Sequence, residues 1–296
     1  MPLLSIITIN YNNAEGLRKT MESVLKQTSK DFEYIVVDGG SSDTSCQVIY
    51  QQLAVDSSNE QLASYVEVNG IKVRWVSEKD SGIYNAMNKG ICMAKGEYVQ
   101  FLNSGDLLAA NDVTEKMLRH LQNIYKGNKS IVEIPILYGN MLKPYKGRIL
   151  KDNGFAGRQP TMLDFYNGTL NHSSTYIKRS LFDKYGLYDE SLKIVSDWKW
   201  YLQVIGFNRI QITYLDINVT IFDMTGISSV NSSLDIAERR KVLEESLTLS
   251  ILSDYDQYAF AFNQLNRINR YWITRKVFFL TERMIFKFEK WFRNKE

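Results

Sequence analysis

Short apolar runs and helical stripes alternate through the first hundred residues. Leu3 to Ile9 is an Ile-rich run that stops at the polar tetrad Asn10-Tyr11-Asn12-Asn13. Leu17, Met21, Val24 and Leu25 then recur at the spacing of one helix face. "FEYIVV" is a second run, closed by Asp38 and "GGSSD", where Ser42 or Asp43 is placed to cap a following helix. Ile71, Val73 and Trp75 alternate as a third strand, and Ile83, Met87 and Ile91 mark a helix capped by Asp80 or Ser81. Glu97 to Leu102 is a fourth strand, cut off at "NSGD". Strands alternating with helices of this length predict βαβ units, an α/β class and a mostly parallel sheet with helices on both faces.

The pattern changes after a helix at Asp112 to Tyr125. Ile131 to Tyr138, Asn171 to Ile177 and Arg209 to Asp223 read as strands, Asp197 to Ile205 as a short helix, and the chain from Leu234 on as helical. The expected division is one domain over 1–230 and a helical, basic extension over 231–296.

Composition narrows the class. A chain of 296 residues with 44% hydrophobic and 23% charged residues is long enough for one large domain plus an appendage, or for two modest domains. The net charge of +3 gives no argument for nucleic acid. Two cysteines, Cys46 and Cys92, make neither a disulfide framework nor a metal motif. "MPLLSIITI" lacks the basic start of a signal peptide, and no run of about 18 apolar residues is present, so a cytoplasmic location is expected.

In parallel sheets, ligands bind beyond the carboxyl ends of the strands. Four such exits here carry Asn10 to Asn13, Asp38, Glu78 to Asp80 and Asn103 to Asp106. Each residue has a plain structural reading beside a chemical one. Asp106 is a turn former, or a ligand to a hard divalent cation completed by substrate phosphate and water. Asp38 is a turn former or helix cap, or an acceptor for a nucleoside's N–H or ribose hydroxyls beside the two close-approach glycines 39 and 40. The helix opening at Asp80-Ser81-Gly82 favours an anion through its free N–H groups, while the stripe Ala86, Gly90, Ala94 points to close packing. Asp197, with Ser196 as expected N-cap, suits a helix's first turn, or a general base. His172, one of two histidines, is a satisfied structural residue or a catalytic one.

Taken in order, "SIITINYNNAEGLRKTMESVLKQT", "FEYIVVDGGSSDTS", "SEKDSGIYNAMNKGICMAKGEYVQFLNSGDLL", "NHSSTYIKRSLFDKYGLYDESLKIVSDWKWYL" and "TIFDMTGISS" resemble the family 2 glycosyltransferases, inverting enzymes of the GT-A fold. The resemblance covers about residues 3 to 230, and the variant is similar to enzymes of bacterial capsule, O-antigen or exopolysaccharide assembly. It implies a nucleotide-sugar donor, with UDP the expected base, and a saccharide or lipid-linked acceptor. Tyr11 and Asp38 match the positions that hold the donor nucleoside, with Asn13 nearby and Asp80 a further contact. Asp106 matches the metal-binding acid, for Mn²⁺ or Mg²⁺. Asp197 matches the catalytic base, and His172 lies where the family places a residue near the donor sugar or acceptor. Two departures stand out. Gly105-Asp106 replaces a frequent Asp-Asp, leaving the metal a single carboxylate, and Asp197 follows Ser196 rather than an acid.

From Arg267 to Lys295 nine Lys or Arg face two Glu, interleaved with Phe and Trp. That tail is read either as a helix packed on the catalytic domain or as an interfacial helix seated on anionic headgroups, placing the protein at the inner face of the plasma membrane. A non-catalytic nucleotide-sugar binder is the alternative that Gly105-Asp106 favours. A nucleotidyltransferase is disfavoured by the lack of a Gly-rich triphosphate loop.

Overall fold

A computed structural model describes residues 2–55, 65–127, 134–226 and 231–293. They form two compact units, Met1–Arg239 and Arg240–Glu296.

The first unit is built on four buried parallel strands. β1 (Leu4–Asn10) is followed by α1 (Ala14–Leu25), β2 (Phe32–Asp38) and α2 (Ser45–Leu53). β1 and β2 are buried at every position, which is why they read as continuous apolar runs rather than alternating ones. A hairpin comes next, β3 (Val66–Val68) and β4 (Ile71–Ser77), joined at Asn69-Gly70. Both turn residues have positive φ, +51° and +77°, the requirement behind the Asn-Gly hairpin signal. α3 (Ile83–Met93), β5 (Tyr98–Phe101), the short β6 (Leu107–Leu108) and α4 (Val113–Gly127) complete this half.

The remainder extends the same sheet. β7 (Ile136–Tyr145) turns back through Lys146-Gly147 into β8 (Arg148–Asp152). α5 (Met162–Asn167), a single tight turn over His172–Ser174, β9 (Thr175–Lys178), α6 (Ser180–Tyr185), α7 (Ser196–Tyr201) and β10 (Ile212–Ile221) follow. α8 (Ser232–Ser246) then crosses into the second unit, which holds α9 (Leu249–Asn269) and α10 (Trp272–Arg293).

Among the described residues the sheet has ten strands in the order β3-β4-β2-β1-β5-β9-β7-β10-β6, with β8 paired to β7. β4, β2, β1, β5, β7 and β10 share one direction, and β3, β9, β6 and β8 run against it. The expected α/β architecture of a mostly parallel sheet flanked by helices is therefore the one observed. Its core includes Leu17, Met21, Val24, Tyr34, Val36, Trp75 and Met117, all at most 1% exposed.

Some expected elements shift. The strand expected at 131–138 begins at Ile136, and residues 131–133 lie outside the described set. The strand expected at Asn171 starts only at Thr175, because His172–Ser174 form a turn first. The first compact unit runs to Arg239, and Glu238 of α8 accepts from backbone N–H groups of the segment before α7. The Ala86-Gly90-Ala94 stripe does pack: a Cβ on Gly90 would lie 2.5 Å from Ile7 Cγ2, so α3 rests directly on β1.

Candidate active site

Parallel register brings three strand ends level. Asn10 pairs with Asp38, and Asp38 with Ser77. The Asp38 carboxylate is fully buried and occupied by protein donors. Oδ1 accepts from Asn10 Nδ2 (2.7 Å) and Ser41 Oγ (2.6 Å), and Oδ2 from the Ser41 N–H (2.9 Å) and Ser77 Oγ (2.7 Å). Four donors make such a buried charge tolerable. At this exit the surface itself is formed by Gly39 and Gly40. Gly39 is required by contact, because a Cβ there would lie 2.3 Å from Asp80 Oδ2. Asp80 also accepts the Gly82 N–H at 3.0 Å, just before α3.

A cleft of about 1010 Å³ opens above these ends. Tyr11, Asn13 and Asp80 line it at the β1 and β4 exits, and Asp106, His172 and Asp197 line it further along. Tyr11 is 65% exposed. Asn13 is partly structural: its Oδ1 accepts from the Gly16 N–H at the start of α1 (3.0 Å) and its Nδ2 donates to the Ser104 carbonyl (3.2 Å).

Asp106 sits in a turn fixed from α1. Thr20 Oγ1 accepts the Gly105 N–H (2.9 Å) and donates to the Asp106 carbonyl (2.8 Å). Burial pushes the Asp106 carboxyl up to about 7. The N–H of Asp223 (2.8 Å to Oδ1) and His172 oppose that rise, and the Asp223 carboxylate adds to it. Asp223 follows the end of β10 and packs on Gly105, where a Cβ would meet Asp223 Oδ2 at 2.4 Å and φ is +105°. The departure at Gly105 thus has a steric partner: the missing side chain is where a second carboxylate rests. Asp223 had no assigned role in the sequence, although it is an acid at a strand exit like Asp106.

Asp197 lies in the first turn of α7 with its side chain 15% exposed. Its Oδ2 is 3.3 Å from His172 Nδ1, and the Tyr84 hydroxyl reaches Oδ1 at 2.9 Å and also the Ile194 carbonyl. Burial works against ionisation, but His172, Tyr84 and the Trp198 N–H outweigh it and hold the carboxyl below its ordinary value. Burial lowers the His172 imidazole, yet Asp197 and Asp106 more than compensate and raise it. The other ring nitrogen, Nε2, is 3.1 Å from Asn103 Nδ2. With Nδ1 protonated, His172 donates to Asp197 and accepts from Asn103. Ser196 is not the N-cap expected of it: Val195 holds that position, and Ser196 Oγ is buried without a partner among the described residues.

The arrangement sorts the candidates. Asp106 and Asp223 form an acidic pair, Asp197 and His172 a hydrogen-bonded dyad, and Tyr11, Asn13 and Asp80 line the far end, with Asp38 beneath it. Tyr84, Asn103, Asp223, Glu238 and Arg239 carry the site as well and were not singled out in the sequence.

Comparison with known proteins places the chain in a family. The family model for glycosyl transferase family 2 matches residues 5–186. An uncharacterised glycosyltransferase of Mycobacterium tuberculosis is 31% identical over 206 residues, 68% of each chain. A PGL/p-HBAD biosynthesis glycosyltransferase of Mycobacterium bovis is 23% identical over 76% of this chain and 78% of its own. Among solved structures, S. aureus TarS in complex with UDP superposes with a TM-score of 0.56 at 20% identity, over 75% of this chain and 60% of that one. A mannosyltransferase from Pyrobaculum calidifontis in complex with GDP-Man and Mn²⁺ gives 0.50 at 16% identity, over 75% and 56%. At those identities the likeness to solved structures is one of fold. The chain belongs to glycosyl transferase family 2, and it is a glycosyltransferase of the GT-A fold.

Proposed function

We propose that this chain is an inverting, metal-assisted enzyme that moves a sugar from a nucleotide-diphosphate donor, UDP-linked, to an acceptor hydroxyl in surface-polysaccharide assembly. One observation carries the reading: the Asp106–Asp223 pair and the Asp197–His172 dyad line a single cleft whose floor is the set of level strand ends. Tyr11, Asn13 and Asp80 are proposed to bound the nucleoside, with Asp38 holding their loops in place. The UDP and GDP-Man of the solved relatives support a nucleotide-sugar donor here.

Asp106 and Asp223 offer the hard oxygen donors that Mn²⁺ or Mg²⁺ takes. A buried carboxyl pushed to about 7 beside another acid is an arrangement a dication relieves. Among the described residues no group of three or more His, Cys, Asp or Glu is suited to a metal, so Asp106 and Asp223 would hold a cation only together with ligands from the substrate or solvent. When bound, the cation offsets charge on the departing diphosphate. Asp197, kept ionised by its neighbours, accepts the proton of the attacking hydroxyl, and His172 fixes its orientation. Transfer then occurs from the face opposite the diphosphate and inverts the anomeric centre. Replacing Asp197 by Asn tests this: transfer falls by about 10²–10⁴-fold, while calorimetric titration of UDP with Mn²⁺ is unchanged. Near-normal turnover would sink the assignment.

The acceptor is proposed to be presented at a membrane surface. Among the described residues no helix is long and apolar enough to cross a membrane. α10, however, gathers Ile273, Val277, Leu280, Met284, Phe288 and Trp291 on one side, each at least half exposed. Arg275, Lys276, Arg283, Lys290 and Arg293 lie off that stripe, where the exposed Phe279 and Phe286 also fall, and Lys287 borders it seven residues from Leu280. Such a helix fits the headgroup boundary of anionic lipid. Co-sedimentation with anionic vesicles is expected for the native chain and lost on replacing Leu280, Met284 and Trp291 by Glu. Equal, negligible binding by both leaves a packing role for the helix.

A further inference from the structure

We propose that Glu238, on the first unit's part of α8, is a positioning residue that sets the place of Asp197; this rests on the reading of Asp197 as the base. Three consecutive backbone N–H groups just before α7 converge on its carboxylate. Lys193 donates to Oε1 at 2.7 Å, and Ile194 and Val195 to Oε2 at 2.9 and 3.3 Å. Ile194 and Val195 are 7% and 1% exposed, so water has little access to replace the carboxylate. Backbone donors buried in this way need a partner, and Glu238 is the one they have.

The tie reaches the base by a short route. Ile194 is held twice: its N–H by Glu238 and its carbonyl by the Tyr84 hydroxyl, which also contacts Asp197 Oδ1. A shift of Ile194 therefore moves Tyr84 and the base together. One residue further along α8, the Arg239 guanidinium stacks 4.6 Å over the ring of Trp198, held by Asp235 at 3.1 Å. α8 thus grips the chain on both sides of Asp197, at residues 193–195 before it and at Trp198 after it. Ser196, the local candidate for a cap, contributes no side-chain bond. The segment that carries the base is consequently organised from 40 residues downstream.

Placement errors of about 1 Å cost on the order of 10²-fold in rate. Glu238→Ala in the full chain is expected to lower kcat about 10- to 100-fold while donor KM and UDP affinity stay within about twofold, since the strand ends at the nucleoside end of the cleft are untouched. Glu238→Gln keeps one acceptor oxygen for Ile194 and Val195 but turns an amide NH2 towards the Lys193 N–H, and restores only part of the rate. Glu238→Asp keeps the charge but shortens the reach, and it shows the same kcat loss with unchanged KM if the Ala variant does not fold. A folded Ala or Asp variant with native kcat overturns the proposal, as does a loss in kcat that follows only the folded fraction, or one with a matching rise in KM. Asp197→Asn is measured alongside. If it turns over normally, the base reading fails whatever Glu238 does; if it is inactive while the Glu238 variants are native, only the positioning role fails.

Discussion

Replacing Asp106 by Asn should stabilise the metal-free protein while abolishing its chemistry. The carboxyl is 3% exposed and its pKa is raised, chiefly by burial, from 3.8 to about 7. The folded state therefore binds this proton more tightly than the unfolded chain does. Stability from this group is complete below about pH 4, is lost progressively as the pH rises towards 7, and stays low above that. A gap of about three units corresponds to roughly 4 kcal/mol at most, at 1.36 kcal/mol per unit. Asn keeps the carbonyl oxygen that accepts the Asp223 N–H and carries no charge. Its added amide protons need a partner, which costs about 1–3 kcal/mol where none is found, though the Asp223 carboxylate lies close by. The net expectation is a gain of about 1–3 kcal/mol at pH 8, shrinking towards zero or below near pH 4. His172 also titrates and feels Asp106, which adds to the slope of the native protein. Urea unfolding of both proteins in EDTA across pH 4 to 8 reads the difference, since groups that do not feel Asp106 cancel and His172 shifts it in the same direction. Adding Mn²⁺ with UDP should stabilise the native protein and leave the variant unchanged. A difference that does not vary with pH, or a variant less stable at pH 8, would refute the reasoning.

Tyr84→Phe removes the hydroxyl beside Asp197 Oδ1, so the Asp197 pKa rises and the acid limb of the kcat profile moves to higher pH. An unmoved limb speaks against Asp197 as the titrating base. Gly105→Ala places a Cβ against Asp223 in a backbone conformation with φ of +105°, whereas Gly147→Ala meets nothing within 4 Å at φ of +74°. Both should lower thermal stability by about 1–3 kcal/mol of backbone strain. Only the first should also lower metal-dependent UDP affinity, and equal affinities in the two variants would remove Asp223 from the site.

Much of this fold is written locally. The runs at Leu4–Asn10 and Phe32–Asp38 are apolar at nearly every position because both faces of those strands are covered. Asn69-Gly70 carries the residue types that accept positive φ, yet only the strand after it was expected, and the turn at Lys146-Gly147 was not expected at all. The acids at strand exits could be found by rule. Their division of labour could not, because it depends on register: Asp38 and Asp106 end neighbouring β2 and β5 on either side of β1, yet one is saturated by four donors and the other accepts one recorded bond. Partnerships across 117 residues, as between Asp106 and Asp223, or 113, as between Tyr84 and Asp197, leave no periodic trace.

The same contrast bears on how the cleft is sustained. Asp38 is a buried acid satisfied by four protein donors, and Asp197 is one whose neighbours favour the charged form. Asp106 is buried with too few donors for its charge, and a second acid lies beside it across Gly105. A fold selected only for stability would fill the Gly105 notch or neutralise Asp106. Here the notch is kept by a glycine in a strained conformation, and the chain itself supplies Asp106 with few donors. The acids therefore separate by their donors: Asp38 is saturated by its own loops, Asp197 is held by His172 and Tyr84, and the under-supplied Asp106, with Asp223 beside it, is where the proposed cation and donor would bind.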